Sequence, residues 1–79
     1  MPQKVTIYTT KSCGYCREAK RFLAENGVEY EEVDVAEDLD AARDLVQRTH
    51  QYGVPVIDVD GTLVVGLDRK RLAELIRLA

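Results

Sequence analysis

The feature that most constrains the fold of this chain is its alternation of strand-like and helix-like segments, together with the dipeptide Asp60-Gly61. A strand-type run is followed by a helical repeat twice, and two more strand-type runs then precede a last helical repeat. Asp-Gly between two such runs is typical of a tight hairpin, because a type I′ turn requires positive φ at both central positions. The sequence therefore predicts an α/β domain with the order β-α-β-α-β-β-α and a four-stranded mixed sheet flanked by helices.

Four segments rich in β-branched and aromatic residues are predicted as strands. They cover residues 5–9, 28–35, 54–59 and 62–65. The first helix begins at Cys13, where apolar residues start to recur at helical spacing, and Asn26-Gly27 ends it. Because the first two strands are joined across this helix, we expect them to be parallel, whereas the last two form an antiparallel hairpin.

Two further helices are predicted from their capping residues. Asp38 or Asp40 caps the second helix, which ends before Gly53. The apolar face of this helix comprises Ala41, Ala42, Leu45, Val46 and Thr49. Asp68 caps the last helix. Its inward residues are Leu72, Leu75 and Ile76. With three helices available, both faces of the sheet can be covered.

Length and composition indicate one small globular domain over residues 1–79, of which 46% are hydrophobic and 32% charged. No apolar run approaches the roughly 20 residues of a membrane-spanning helix. The net charge of −3 disfavours nucleic-acid binding. No signal-peptide pattern precedes the first strand, so we expect a cytoplasmic protein, acting as a monomer, with neither a membrane nor a nucleic acid as partner.

Charge is distributed unevenly along the chain. Residues 1–21 carry five basic side chains and one acid, whereas residues 29–44 carry eight acids and one arginine. The cysteine-bearing end is therefore locally basic on an acidic protein. This indicates either a solvated surface or a rim that attracts thiolates and anionic partners.

Two cysteines, Cys13 and Cys16, are separated by two residues where the first strand leads into the first helix. Disulfide exchange requires a thiolate, which the unpaired N–H groups and the positive dipole end of a helix start favour. Nearby Lys11 and Arg17 act in the same direction. Cys16 lies one turn further along on the apolar side, where it can attack a mixed disulfide on Cys13. The pattern therefore predicts redox catalysis, with Cys13 as the nucleophile and Cys16 as the resolving thiol.

Other uses of a cysteine pair fit this sequence less well. A structural disulfide between these positions would close too short a loop to constrain the unfolded chain much. A structural zinc site needs about four ligands, and this chain offers Cys13, Cys16 and the distant His50. We interpret His50 as a surface residue at the end of a helix, and no metal site is predicted.

The segment VTIYTTKSCGYC, residues 5–16, resembles the start of glutaredoxins, whose usual active site is Cys-Pro-Tyr-Cys, and of the related NrdH-type redoxins. The resemblance continues through GVPVIDVDG and VVGLD and spans essentially the whole chain. It implies a thioredoxin-like fold, no bound cofactor, and dithiol reduction of disulfides in proteins or small molecules. It also implies a cis peptide bond at Val54-Pro55, beside the active-site sulfurs, where the Val54 backbone pairs with an extended thiol substrate.

The resemblance further implies a glutathione site, from whose usual pattern this chain departs in two places. The matching residues are Lys11, Tyr15, Val54, Pro55, Gly66, Leu67 and Asp68. Thr10 stands where glutaredoxins carry a basic residue, and Val65 replaces the first glycine of Gly-Gly-x-Asp. Asp68 matches an acidic position that meets the γ-glutamyl amine, a role that can coexist with helix capping. The electron donor therefore stays open between glutathione and a thioredoxin-reductase-type flavoprotein.

Gly14 replaces the usual proline of the active site. Some family members that lack this proline hold an iron–sulfur cluster between two subunits, with glutathione as an additional ligand. A cluster carrier is therefore one alternative to an enzyme, and a partner protein that uses the fold without its thiols is another.

Positive charge is also concentrated at the start of the last predicted helix, at Arg69, Lys70 and Arg71, where it opposes the helix dipole. We hypothesise that these residues attract an anionic partner, either a glutathione carboxylate or an acidic patch on a reductase.

Overall fold

A computed structural model describes residues 4–50 and 53–77 of the chain. Within these residues, four strands and three helices follow each other in the predicted order. The elements are β1 (Val5–Thr9), α1 (Gly14–Glu25), β2 (Glu31–Asp34), α2 (Leu39–Thr49), β3 (Val56–Val59), β4 (Thr62–Val65) and α3 (Arg69–Arg77). No helix of the described part of the chain is long and apolar enough to cross a membrane.

The strands form one mixed sheet in the order β2-β1-β3-β4. β1 is parallel to β2 and antiparallel to β3, and β3 forms an antiparallel pair with β4. Both predicted relations, the parallel first pair and the antiparallel hairpin, are confirmed. Because β1 is paired on both sides, the position of its carboxyl end is held by two strands. The segment that carries the cysteines follows directly from this end.

The hairpin turn at Asp60-Gly61 has the predicted backbone. The φ angle is 51° at Asp60 and 95° at Gly61, so both positions are left-handed, as a type I′ turn requires. The turn is also bound to the start of β1, because the N–H of Lys4 donates to Oδ1 of Asp60 at 2.8 Å. The N–H of Asp60 donates in return to the carbonyl oxygen of Lys4 at 2.9 Å.

The hydrophobic core lies on the sheet face that α1 and α3 cover. Ile7 of β1 and Ile57 of β3 are cross-strand partners, and both are completely buried. The helices contribute the equally buried Ala19, Leu23 and Leu72 to the same cluster. Full burial of a large aliphatic side chain stabilises the fold by about 1.5–3 kcal/mol. The core therefore fixes α1, and the cysteines at its start, against β1.

Helix α2 covers part of the opposite sheet face. Leu45 is buried there, and Arg48 donates to Oδ2 of Asp58 at 2.8 Å and to the hydroxyl of Tyr8 at 3.5 Å. Tyr8 and Asp58 point away from the core because successive side chains alternate across a strand. Val65 at the end of β4 remains 46% exposed. Helices thus lie on both faces, as predicted, although the cover on this face is incomplete.

The second strand is shorter than predicted. It was expected over residues 28–35, but β2 spans Glu31–Asp34. The N–H of Val28 is engaged by α1 instead, since it donates to the carbonyl oxygen of Leu23 at 2.9 Å. Val28 and Tyr30 pack against the core without pairing in the sheet. Hydrophobic alternation therefore marked burial here rather than strand pairing.

The third strand also begins later than predicted, at Val56 rather than at residue 54. Pro55 has no N–H to donate to a neighbouring strand, so the ladder starts after it. The Val54-Pro55 peptide bond is cis, as the family resemblance implied.

The predicted helix ends agree with the observed ones. Asp38, and not Asp40, is the N-cap of α2, and its carboxylate accepts a first-turn N–H at 3.0 Å. The helix ends at Thr49, and the exposed His50 follows as a left-handed C-cap with φ of 60°. At the start of α3, the carboxylate of Asp68 accepts a first-turn N–H at 3.0 Å.

Candidate active site

The two cysteines occupy unequal positions at the start of α1, and both are free thiols. Cys13 has an extended backbone, with φ of −88° and ψ of 112°, and is the N-cap of the helix. Its Sγ accepts the N–H of Cys16 at 3.2 Å, in the manner of a capping side chain. Cys13 is half-buried, whereas Cys16 is 1% exposed. One thiol is thus open to a partner, and the other lies one turn behind it.

Burial raises the pKa of Cys16 from 9.0 to about 11, and the hydrogen bond and the charge of Cys13 act in the same direction. A backbone hydrogen bond from Thr10 and the charge of Lys20 oppose this rise of the pKa. Cys16 therefore holds its proton near neutral pH. The thiol in a position to make the first attack is that of Cys13.

A polar network beside Cys16 joins α1 to β1 and β2. Oε2 of Glu32 accepts two hydrogen bonds, one from Oγ1 of Thr9 at 2.8 Å and one from Nζ of Lys20 at 3.0 Å. These two hydrogen bonds hold the pKa of Glu32 below its usual range, and the bond from Lys20 has the larger effect. Thr9 is 2% exposed, and Lys20 follows Cys16 by one helical turn. The sequence carries no local signal for Thr9 and Glu32 as neighbours, because strand pairing is what brings Glu32 to this side of the sheet.

The Val54-Pro55 loop lies against Cys13. The thiol of Cys13 donates to the carbonyl oxygen of Val54, with 3.8 Å between sulfur and oxygen. Pro55 is buried, and its carbonyl oxygen accepts the N–H of Gly66 at 2.8 Å. The turn after β4 is thereby held against the loop that faces Cys13. The structure thus gathers Cys13, Val54, Pro55 and Gly66 at one edge of the sheet.

The other residues of the predicted glutathione site have contacts of their own. Nζ of Lys11 lies 3.3 Å from Oε1 of Glu37, in a pair that is exposed on both sides. Leu67 packs against the hydrophobic core, and Asp68 caps α3. Tyr15, in the first turn of α1, is 66% exposed. Among these residues, Tyr15 is the large hydrophobic side chain that stays exposed, two positions after Cys13.

The basic residues at the start of α3 are partly paired. Nη2 of Arg69 lies 3.9 Å from Oε2 of Glu18 on α1, and Nη1 of Arg71 lies 3.9 Å from Oε2 of Glu74. Because these side chains are largely exposed, each pair contributes at most about 1 kcal/mol. The contact between Arg69 and Glu18 does show that the start of α3 lies next to the outer surface of α1.

Comparison with known proteins gives the same picture as the geometry. The Glutaredoxin family model matches residues 5–64. An uncharacterized glutaredoxin-like 8.6 kDa protein in the rubredoxin operon of Clostridium pasteurianum is 32% identical over 72 residues, which cover 91% of this chain and 96% of that protein. The crystal structure of the thioredoxin-like protein BC3987 superimposes with a TM-score of 0.84 at 36% identity, over 91% of this chain and 99% of the other. The glutaredoxin-like NrdH-redoxin from Escherichia coli also gives a TM-score of 0.84, at 25% identity, over 91% and 93% of the two chains.

The mixed sheet, the cysteine pair at the start of α1 and the facing cis-proline loop define a thioredoxin-like protein. More narrowly, the chain belongs to the glutaredoxin family, in its glutaredoxin-like and NrdH-type branch. It is therefore a thiol–disulfide oxidoreductase of that family. The fold and the family that the resemblance of residues 5–16 implied are both confirmed.

Proposed function

We propose that the protein is a dithiol electron carrier, which reduces disulfides of proteins or small molecules through Cys13 and Cys16. The observation that carries the proposal is the unequal burial of two thiols held one helical turn apart. Cys16 is 1% exposed, and its N–H lies 3.2 Å from the Sγ of the more accessible Cys13. The electrons transferred are those of the two thiols, so the exchange itself needs no bound cofactor.

In the first step, the thiolate of Cys13 attacks one sulfur of the substrate disulfide. A bond forms between this sulfur and Sγ of Cys13, and the other substrate sulfur leaves as a thiolate that takes a proton from water. The N–H of Cys16, at 3.2 Å, donates to the attacking sulfur. This hydrogen bond holds the attacking sulfur at the start of α1.

In the second step, Cys16 loses its proton to solvent and attacks Sγ of Cys13 in the mixed disulfide. A disulfide forms between the two cysteines, and the remaining substrate sulfur leaves as a thiolate. The substrate has then gained two electrons, and the protein has lost two. The raised pKa of Cys16 makes its thiolate scarce near neutral pH but more nucleophilic once formed.

The Val54-Pro55 loop is the proposed docking edge for the substrate. Val54 precedes the first paired residue of β3, and its carbonyl oxygen lies 3.8 Å from Sγ of Cys13. An extended segment that carries the substrate disulfide can therefore pair with the loop backbone, as one strand adds to another. The N–H of Gly66 donates to the carbonyl oxygen of Pro55 at 2.8 Å and so holds the turn after β4 beside this edge.

We propose that a thioredoxin-reductase-type flavoprotein, rather than glutathione, restores the dithiol. Three features support this choice: Thr10 replaces the usual basic residue, Val65 replaces a glycine, and Lys11 is paired with Glu37. The structurally similar Escherichia coli NrdH-redoxin is described as having a thioredoxin-like activity profile. Asp68 and the cis-proline loop favour glutathione as the competing donor. We further propose that the protein acts as a monomer in the cytoplasm, where thiols stay reduced.

The substitution Cys16→Ser tests the exchange mechanism. Without a resolving thiol, the first step stops at a mixed disulfide, so mass spectrometry should show a covalent adduct of the variant with a disulfide substrate. Wild-type protein should instead end as the intramolecular disulfide, and Cys13→Ser should form no adduct. Absence of an adduct in Cys16→Ser would leave a structural partner protein as the better explanation.

A coupled assay identifies the donor. Oxidised protein is supplied either with glutathione and its reductase or with a thioredoxin-reductase-type flavoprotein, and the consumption of nicotinamide cofactor is followed. The expected result is faster turnover with the flavoprotein, and activity with neither donor would contradict the proposed function. Anaerobic reconstitution with iron and sulfide tests the cluster alternative, which the comparisons do not favour. A cluster requires Cys13 alone of the two cysteines, so Cys16→Ser would then still become brown.

A further inference from the structure

A groove runs along the outer surface of α1, and in the described part of the chain its charged side chains form no hydrogen bond with either cysteine. The groove has a volume of about 540 Å³ and is lined by Gly14, Tyr15, Arg17, Glu18 and Arg21. Most of these positions are three or four residues apart, so they form one stripe on the exposed side of the helix. Because Gly14 directly follows Cys13, the groove begins one residue beyond the proposed nucleophile.

The groove is positively charged because its one acid is already paired. Oε2 of Glu18 lies 3.9 Å from Nη2 of Arg69, so the carboxylate is shared with a further cation. Within residues 4–50 and 53–77, neither Arg17 nor Arg21 has an ion pair or a side-chain hydrogen bond. Two uncommitted guanidinium groups thus stand on a protein whose net charge is −3. Within the described residues the fold gains no ion pair or side-chain hydrogen bond from them, which leaves their charge available to a partner.

We propose that this groove binds an acidic segment of a protein substrate, with carboxylate side chains close to the cysteine whose disulfide Cys13 attacks. The inference rests on the proposed function and adds the class of substrate to it. Guanidinium groups bind carboxylates through paired hydrogen bonds. The ring of Tyr15, 66% exposed at the same end of the groove, offers the apolar surface against which the substrate backbone can pack.

Helix geometry sets where those carboxylates must lie. From Gly14 to Arg21 the helix rises by roughly 10 Å, at about 1.5 Å per residue. An extended substrate segment covers the same length with about three residues, at about 3.3 Å each. Acidic residues at the second and third positions from the substrate cysteine are therefore the ones that Arg17 and Arg21 can reach.

The test uses reduced protein, freed of excess reductant, in single-turnover reactions with disulfide-linked peptide dimers. One peptide carries aspartate at the second and third positions from its cysteine, and the other carries asparagine there. The measured quantity is the rate constant for release of peptide thiol, expressed as the ratio of the acidic to the neutral peptide. The variants are the double substitution Arg17→Gln with Arg21→Gln, and Arg43→Gln as control. Arg43 is an exposed arginine of α2, without an ion pair in the described part of the chain.

We expect the double variant to lower the acidic-to-neutral ratio by about two- to thirtyfold, which is the range for two exposed carboxylate contacts. Arg43→Gln should keep the wild-type ratio. Raising the salt concentration from about 0.02 M to about 0.5 M should lower the ratio for wild type and leave that of the double variant nearly constant. Equal thermal midpoints of the three proteins verify that the variants are folded.

Three outcomes overturn the proposal. The first is an unchanged ratio in the double variant. The second is a loss in Arg43→Gln that is at least half that of the double variant on a logarithmic scale, which would assign the effect to net charge, since Arg43→Gln removes one charge and the double variant two. The third is an equal loss of rate with oxidised glutathione, which would assign the groove to a small anionic disulfide. If wild-type protein reduces neither peptide, the proposed function itself is wrong, whereas each of the three outcomes leaves reduction of the neutral peptide intact.

Discussion

Raising the pH should accelerate the second step of exchange, the attack of Cys16 on the mixed disulfide, because Cys16 holds its proton near neutral pH. With its pKa raised from 9.0 to about 11, about one Cys16 thiol in ten thousand is ionised near pH 7, against about one in a hundred at the ordinary value. Burial and the contacts of Cys13 thus reduce the thiolate population by about a hundredfold. Because an acid stays protonated below its pKa, the rate at which Cys16 resolves the mixed disulfide must rise with pH from neutral pH up to its pKa.

Formation of the mixed disulfide removes part of this effect. Once Cys13 is bonded to a substrate, its charge and its hydrogen bond no longer raise the pKa of Cys16, and burial remains as the main cause. The inflection in the rate of resolution should therefore lie between pH 9.0 and about 11. Below the inflection, the rate should increase about tenfold for each pH unit.

Stopped-flow reaction with dithiobis-nitrobenzoate separates the two steps. Attack by Cys13 releases one thionitrobenzoate and leaves the other as a mixed disulfide, whose release then reports the attack by Cys16. The second phase should show the steep pH dependence, and Cys16→Ser should lose this phase while keeping the first. A second phase that stays constant between about pH 7 and 9 would refute the reasoning, since the Cys16 thiolate would then form without a large pKa barrier.

Two further substitutions probe the surroundings of the site. Lys20→Met removes a charge that lowers the pKa of Cys16, so the inflection of the second phase should move to higher pH. Lys20→Arg keeps the charge and should leave the inflection in place. Identical pH curves for the wild type and both variants would contradict an electrostatic role of Lys20. Gly14→Pro should raise the free energy of unfolding by about 0.4–1 kcal/mol, or roughly 2–8 °C in thermal midpoint. Proline suits the first position of a helix, an added Cβ at Gly14 meets nothing within 4 Å, and the preceding Cys13 has the extended backbone that proline requires. A lower midpoint would mean that the helix start depends on the N–H or the freedom of glycine.

Local chemistry accounts for the elements that could be predicted from the sequence. The turn at Asp60-Gly61 and the caps at Asp38 and Asp68 depend on a side chain and on the few backbone groups next to it. The helix repeat of α1 likewise depends on the spacing of its apolar residues. These signals lie within short windows of sequence, so they were sufficient to place the strands, the helices and the cysteine pair in order.

The features that could not be predicted depend on contacts between distant segments. β2 is shorter than its hydrophobic pattern because the end of α1 engages Val28 before the strand begins. The bond from Lys20 to Glu32 exists because the parallel register places Glu32 opposite Ile7, on the side of α1. A register of this kind is a property of two strands together, and neither strand specifies it alone.

The difference between the two thiols follows from the helix repeat rather than from the identity of the residues between them. The buried residues of α1 are Cys16, Ala19 and Leu23, which lie three and four positions apart and so form one line toward the core. Cys13 is the residue before the helix, where an N-cap side chain must remain free to accept an N–H. A spacing of three residues therefore places one sulfur at the cap and the next on the buried line. The packing that stabilises α1 is then also the cause of the high pKa of Cys16, and the proposed order of reaction, Cys13 before Cys16, follows from it.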